Sequence, residues 1–255
     1  MITSTQKKPV SIMRKILGIC AHKLMMFRDS LINRFYSPVI PRNNSLCKFL
    51  KSKTEAYHCT QYLRNNRFVS HPYSYKDWDI ANIIADLSDG NLLDMGSWES
   101  YILKNAVIKG IRGEKYGIDL QKAKKTVDEV NYVVGDLMNT GFPDSFFQNI
   151  TCLSVIEHEV DFNKFARETS RLLSERGKLY VTFDYWMPKI YPNVTMFDKA
   201  WNILDNKDVL TLIEELQNKE LHLVQQVDWS LEKPVIAWPD PKIDYTFGLL
   251  VFQKK

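Results

Sequence analysis

Three aspartates recur at the ends of short apolar runs. Asp94 closes Asn91-Leu92-Leu93-Asp94, Asp119 closes Lys115-Tyr116-Gly117-Ile118-Asp119, and Asp136 follows Tyr132-Val133-Val134-Gly135. Their separations of 25 and 17 residues suit successive strand–helix–strand steps. Parallel neighbouring strands bring their carboxyl ends to one rim, so the three carboxylates would line one cleft. Such a row can accept hydrogen bonds from vicinal ribose hydroxyls and from an adenine amino group, and one member can orient a cationic amino-acid end. After Asp94, the residues Met95-Gly96-Ser97-Trp98-Glu99-Ser100 read as a tight turn into a helix. Gly96 suits a sharp turn where a ligand approaches the backbone. Farther along, His158 and Asp184 each follow an apolar run and are the candidates for taking a proton from a reacting group.

The elements that must position these residues follow from periodicity. Strands are expected over 91–94, 115–119, 131–135, 149–155, 177–184, 221–228 and 245–253, and helices over 98–108, 121–127, 161–174 and 205–217. Another helix is expected from Tyr75 to Leu87, ended by Ser88-Asp89-Gly90. Alternating units of this kind predict an α/β domain with a doubly wound, mostly parallel, seven-stranded sheet whose last strand is antiparallel. It would span 75–255, preceded by a basic helical extension over 1–74. In that extension, Ile12, Ile16, Ile19, Leu24, Phe27, Leu31 and Phe35 fall at roughly helical spacing within 9–36, and a second helical stretch is expected over 45–64. The first helix would serve either as a lid on the body or as an anchor on a membrane surface. No internal repeat or low-complexity tract interrupts the chain.

Charge is unevenly divided. Residues 1–76 hold 14 Lys and Arg against two acids, while the remainder holds 20 basic against 28 acidic residues, within an overall charge of +4. A basic front on an acidic body would attract something anionic, such as a phosphorylated substrate, a lipid headgroup or nucleic acid, or would simply be a solvated helical face. The four cysteines (Cys20, Cys47, Cys59, Cys152) form no CxxC pair and no metal-like spacing with the five histidines, so a reduced cytoplasmic protein without structural metal is expected. No run of 18 uninterrupted apolar residues exists, and the polar start at Met1–Pro9 is not followed by the pattern of a secretion signal.

A dinucleotide site would want three glycines after the first strand, whereas Trp98 occupies the second glycine place and Ser100 stands just before the third, with no glycine at either. A bulky Trp98 would obstruct a pyrophosphate, which favours a ligand without one. Taken together, Leu92-Leu93-Asp94-Met95-Gly96-Ser97, Gly117-Ile118-Asp119-Leu120, Gly135-Asp136-Leu137 and Leu153-Ser154-Val155-Ile156-Glu157-His158 resemble successive motifs of the class I S-adenosylmethionine-dependent methyltransferases. Leu172 to Leu179 resembles that family's step into its fifth strand. The resemblance covers 75–255 and implies a Rossmann-like fold that uses S-adenosylmethionine and releases S-adenosylhomocysteine. It implies that Asp94, Gly96 and Ser97, with Trp98 in the same turn, hold the methionine end. Asp119 would take the ribose hydroxyls with Leu120 against the adenine, and Asp136 the adenine amino group with Leu137 beside it. Ser154 would contribute backbone contacts below the sulfonium. The turn departs from the family pattern by keeping Gly96 as its single glycine.

Methyl transfer to a hydroxyl needs an in-line nucleophile and a base for its proton. His158 is one candidate base, with Glu157 beside it, and Asp184 is its rival. Tyr185 and Trp186 are candidate pocket walls, with core packing as the alternative. Tyr75 and Trp78 would help to cover the cofactor, and the aromatic segments 185–202 and 229–245 are candidate specificity loops. The residues Ser154-Val155-Ile156-Glu157 stand where enzymes of this class that methylate nucleic-acid bases carry an Asn/Asp-Pro-Pro-aromatic tetrad, which disfavours nucleic acid as the acceptor. The expected function is methyl transfer to a small molecule or glycan precursor, on oxygen. Two alternatives stand beside it: a cofactor-binding partner subunit without catalysis, and a peripheral membrane enzyme acting on a lipid-linked acceptor through residues 9–36.

Overall fold

The structure, a computed structural model, describes residues 46–239 and 242–255. The expected helix over 9–36, and with it any lid or membrane contact, lies outside the described residues. Among the described residues no helix is long and apolar enough to cross a membrane.

Strand β2 (Leu92–Met95) lies between β3 (Lys115–Asp119) and β5 (Phe147–Leu153) and runs parallel to both. All four of its residues are buried. A strand covered on both faces has no solvent side to mark with polar residues, hence the unbroken Leu92-Leu93 run. β4 (Asn131–Val134) continues the parallel ladder beyond β3, and β6 (Leu173–Tyr185) continues it beyond β5. The long β11 (Lys242–Lys254) runs antiparallel to β6, from Thr246↔Tyr185 to Gln253↔Lys178. β1 (Lys48–Phe49), β9 (Leu221–Leu223) and β10 (Ile236–Pro239) each pair antiparallel with β11. The main path is β1-β11-β6-β5-β2-β3-β4. The seven expected strands are thus all in one sheet, joined by β1 and β10, which the sequence did not announce.

Among the described residues, five helices pack in two groups. α2 (Asp77–Asp86, after a 3-10 turn over Ser74–Lys76) contacts both α1 (Lys53–Asn65) and α3 (Tyr101–Lys109), and α4 (Phe162–Leu172) contacts α5 (Asn206–Gln217). Short polar side chains start most of them: Ser52, Ser100, Asp161 and Asp205 each accept a backbone N–H of the first turn. α3 therefore begins at Tyr101 rather than near Trp98, and it ends at Gly110 in the left-handed conformation. The helix expected over 121–127 is absent; that stretch is an irregular, bent connection. Gln121-Lys122-Ala123-Lys124-Lys125 offers no apolar stripe to bury, and a short helix does not hold without one. The stretch expected as helix over 45–64 opens instead with β1, which is joined to the sheet, and turns helical at Lys53.

From β2 the chain builds outward through β3 and β4, then returns to the other side of β2 with β5 and β6. Strand order reverses between β2 and β5, and the crevice outside their carboxyl ends is where such a sheet takes a ligand. Asp94 lies at that point, level with Thr151 of β5 and Gly117 of β3.

Candidate functional site

The turn after β2 is held by its own sheet. The amides of Gly96 and Ser97 both donate to the Ile118 carbonyl, at 2.8 and 3.1 Å, and the Trp98 amide donates to Asp119 Oδ2 at 3.0 Å. Three consecutive N–H groups are therefore committed internally, so this turn offers no ready nest for a pyrophosphate. Gly96 has φ +81°, and a Cβ there would meet Val155 Cγ2 at 2.2 Å, so glycine is required on two counts. Gly117 serves the same packing: a Cβ on it would lie 2.5 Å from Ser97 Oγ. Asp94 is buried, accepting from Thr151 Oγ1 at 2.6 Å and from Ser100. Burial pushes its carboxyl up to about 6, with nearby Asp119 adding to the effect while the two hydroxyls oppose it. Ser100 thus both caps α3 and steadies Asp94.

Asp119 ends β3 with each oxygen on a backbone amide: Oδ2 on Trp98 N–H, and Oδ1 on Gln121 N–H at 2.9 Å. Lone pairs remain on both oxygens for further donors. Leu120 follows it with 62% exposure, an apolar side chain offered to solvent beside a fixed carboxylate. Asp136, one strand farther out, is exposed, and its Oδ1 accepts from Met138 N–H at 2.8 Å. Leu137 is half-buried against the core.

On the other side of the switch point, Ser154 follows β5 with φ +50°, and its amide donates to the Thr182 carbonyl at 3.0 Å. Its hydroxyl is bonded by Lys76 Nζ. That ammonium also pairs with Asp79 Oδ2 at 3.0 Å and lies 3.7 Å from the Phe247 ring centroid. Two more carboxylates face the group. Glu157 is 1% exposed, and neither of its oxygens has a hydrogen-bond partner from any other described residue. Burial, reinforced by Asp184, holds it well above the usual carboxylate range, against the pull of Lys76. Asp184 accepts from Trp201 Nε1 at 2.7 Å, and burial pushes it up to about 6.

His158 sits over this group with its ring against Phe197, centroids 5.8 Å apart. Phe197 also meets Trp98, at 6.1 Å, and Lys124 Nζ lies 4.8 Å from the Trp98 ring centroid. Phe197 is carried by a hairpin of β7 (Thr195–Met196) and β8 (Lys199–Ala200), whose two turn residues, Phe197 and Asp198, both have positive φ. The hairpin tip thus links the β2 turn to the end of β5. Burial lowers the His158 pKa from its ordinary 6.5, so the ring is neutral at neutral pH.

The sheet therefore brings Asp94, Gly96, Ser97, Trp98 and Asp119 together on one side of the switch point, and Ser154, His158 and Asp184 on the other. Tyr185 does not line this crevice. Alternation along β6 points it away from Asp184, into the core against Phe49 at 4.2 Å, with its hydroxyl bonded to Asn206. Trp186 is half-buried and its amide donates to the Leu204 carbonyl at 3.0 Å. Trp78 is also core: it is fully buried with Nε1 donating to Glu55 Oε1 at 2.7 Å, which leaves no face to cover a cofactor. Lys76, Asp79 and Thr182 were missed. Thr182 and Asp184 were legible as polar positions alternating with Val181, Phe183 and Tyr185 in a buried strand, and Lys76 with Asp79 as an i,i+3 pair opening a helix.

A parallel sheet in this order, closed by an antiparallel strand and carrying acids at the ends of β2, β3 and β4, defines the class I methyltransferase fold. Residues 93–181 match the family described as methyltransferase domain. Among solved structures the chain is similar to the Haloferax volcanii complex between the Trm112 methyltransferase activator and a methyltransferase, with 15% identity over 80% of this chain and 98% of that one, TM-score 0.51. It is similar to the YcgJ protein of Bacillus subtilis, with 15% identity over 69% and 98% of the two chains, TM-score 0.51. It is also similar to geranyl diphosphate C-methyltransferase of Streptomyces coelicolor A3(2), with 13% identity over 69% and 74%, TM-score 0.50. No curated protein matches it by sequence. Residues 93–181 are thus similar to a methyltransferase domain, and the sheet that carries them has the fold of the class I S-adenosylmethionine-dependent methyltransferases.

Proposed function

We propose that the protein methylates a small molecule or glycan precursor on oxygen, with the donor held across the β2–β3 side of the crevice and the acceptor on the β5–β6 side. The observation that carries this reading is Asp119, a carboxylate pinned by two backbone amides beside the exposed Leu120 at the end of β3. That pair suits a ribose with its attached adenine. The three committed amides of the β2 turn suit a ligand without a pyrophosphate, and the glycines at 96 and 117 let Val155 and Ser97 pack directly against the backbone and fix the turn.

When bound, S-adenosylmethionine supplies a methyl group on a positively charged sulfur. The chain's own part is positional and acid–base. Asp94, fixed by Thr151 and Ser100, sets the β2 turn and, with Gly96, Ser97 and Trp98, takes the methionine end. Asp136 and Leu137 extend the adenine side. Ser154 aligns the chain below the sulfur, and His158, neutral because it is half-buried, takes the acceptor proton, with Asp184 as the alternative base. The basic balance of residues 1–76 suits an acceptor that bears phosphate.

Calorimetric titration with S-adenosylmethionine, and separately with NAD, tests the donor assignment. Binding of the first alone is expected. Binding of NAD, or of neither ligand, would count against it.

A further inference from the structure

The crevice holds more carboxyl groups than its basic partners can pair. Asp79, Glu157 and Asp184 are each buried, and Lys76 is the basic side chain set among them. Its ammonium is already committed to Asp79, Ser154 and the Phe247 ring. Among the described residues no ion pair reaches Glu157 or Asp184, and the indole N–H of Trp201 is what Asp184 holds. Glu157 stands out: both oxygens lack any partner from another described residue at 1% exposure, as does Asp79 Oδ1 at full burial. A buried carboxylate without donors is costly unless something else satisfies it.

We propose that Glu157 and Asp184, beside the Lys76–Asp79 pair, form an acceptor subsite that takes a ligand through an ammonium group. The inference rests on the methyltransferase reading and names the chemistry by which the acceptor is held; it does not make that nitrogen the methylated atom. An ammonium brings three donors and one positive charge to a cluster short of both. A diol brings donors but leaves the carboxylates' mutual repulsion in place. A metal ion suits less well, because among the described residues no group of His, Cys, Asp and Glu is arranged to hold one. Burial and mutual repulsion favour protonated carboxyls in the free protein, and an arriving cation reverses that preference.

The test uses the full chain saturated with S-adenosylhomocysteine and titrated with matched probes: ethanolamine against ethylene glycol, and glucosamine against glucose. At least one amine should bind about tenfold tighter than its hydroxyl counterpart. Glu157→Gln should abolish that preference while changing S-adenosylhomocysteine affinity by less than about twofold. Asp184→Asn provides the second variant should Glu157→Gln fail to fold by circular dichroism. The proposal is overturned if no amine outbinds its counterpart, or if the preference survives the substitution. It is equally overturned if the substitution removes S-adenosylhomocysteine binding, since the carboxylate would then belong to the donor. Failure of the wild-type chain to bind S-adenosylhomocysteine would sink the methyltransferase reading instead, and the probe comparison still reads out on its own.

Discussion

The amide of Trp98 and the carboxylate of Asp119, 3.0 Å apart, tie the turn after one strand to the end of the next. Asp119 thereby has two tasks, fixing the turn and presenting its remaining lone pairs to the crevice. Asp119→Ala removes both, and should weaken S-adenosylmethionine binding by about 1.5–3 kcal/mol, roughly ten- to a hundredfold in Kd. Asp119→Asn keeps one acceptor oxygen and should fall between. Calorimetry decides it: wild-type affinity in the alanine variant would remove Asp119 from the donor site.

Gly96 is constrained by both backbone and space. Gly96→Ala places a methyl group 2.2 Å from Val155 Cγ2 at a backbone φ of +81°. The overpacking alone should cost about 1–3 kcal/mol, with the left-handed conformation adding about 1 more. Val155→Ala in the same chain relieves the clash and leaves the backbone cost, so the double variant should recover part of the loss. Urea unfolding measures all three chains. Full stability in Gly96→Ala would show that the turn can rearrange.

Much of this is legible in the sequence alone. The strand ends at Asp94, Asp119 and Asp136 follow from apolar runs closed by an acid, and the sheet places them as the spacing requires. What escaped has a physical reason in each case. The two-residue β1 is too short to show a period, and its place depends on a partner in β11, about 200 residues away. Trp78 and Tyr185 read as pocket aromatics because composition does not reveal which way a side chain points; burial of the indole against Glu55 and alternation along β6 settled that. The Lys76 cluster draws on a 3-10 turn, a helix, the loop after β5 and the end of β6, a conjunction that exists only in the fold.

Asp94 should impose a pH dependence on stability. Its folded-state pKa, about 6, is raised from 3.8, so across that interval the folded chain binds more protons than the unfolded one. Stability attributable to this group is therefore greatest below about pH 4 and declines as pH rises through about 6, by at most ~3 kcal/mol. Asp77 and Asp184, also pushed up to about 6, act in the same direction. Asp94→Asn removes one of these contributions, and its melting temperature should change less than that of the wild type between about pH 5 and 7. Parallel melting curves for the two proteins over that range would place the pH response elsewhere.

The ring of His158 should titrate below its ordinary value because it is half-buried, with Phe197 packed edge-on against it. Nδ1 has no hydrogen-bond partner among the described residues and is shielded from water, which disfavours the charged ring. Phe197→Ala opens the hairpin tip at a residue that is itself 60% exposed, so the fold should tolerate the change. The imidazole C–H resonances, followed by NMR against pH, should show a wild-type pKa below 6.5 that moves toward 6.5 in Phe197→Ala. Once an acceptor is identified, the acid limb of the rate profile should follow the same shift, and His158→Gln should abolish that limb while leaving S-adenosylmethionine affinity in place. An imidazole that titrates alike in both proteins would show that Phe197 does not set its environment. A rate profile unchanged by His158→Gln would pass the base role to Asp184, whose carboxyl is held by the Trp201 indole at 2.7 Å.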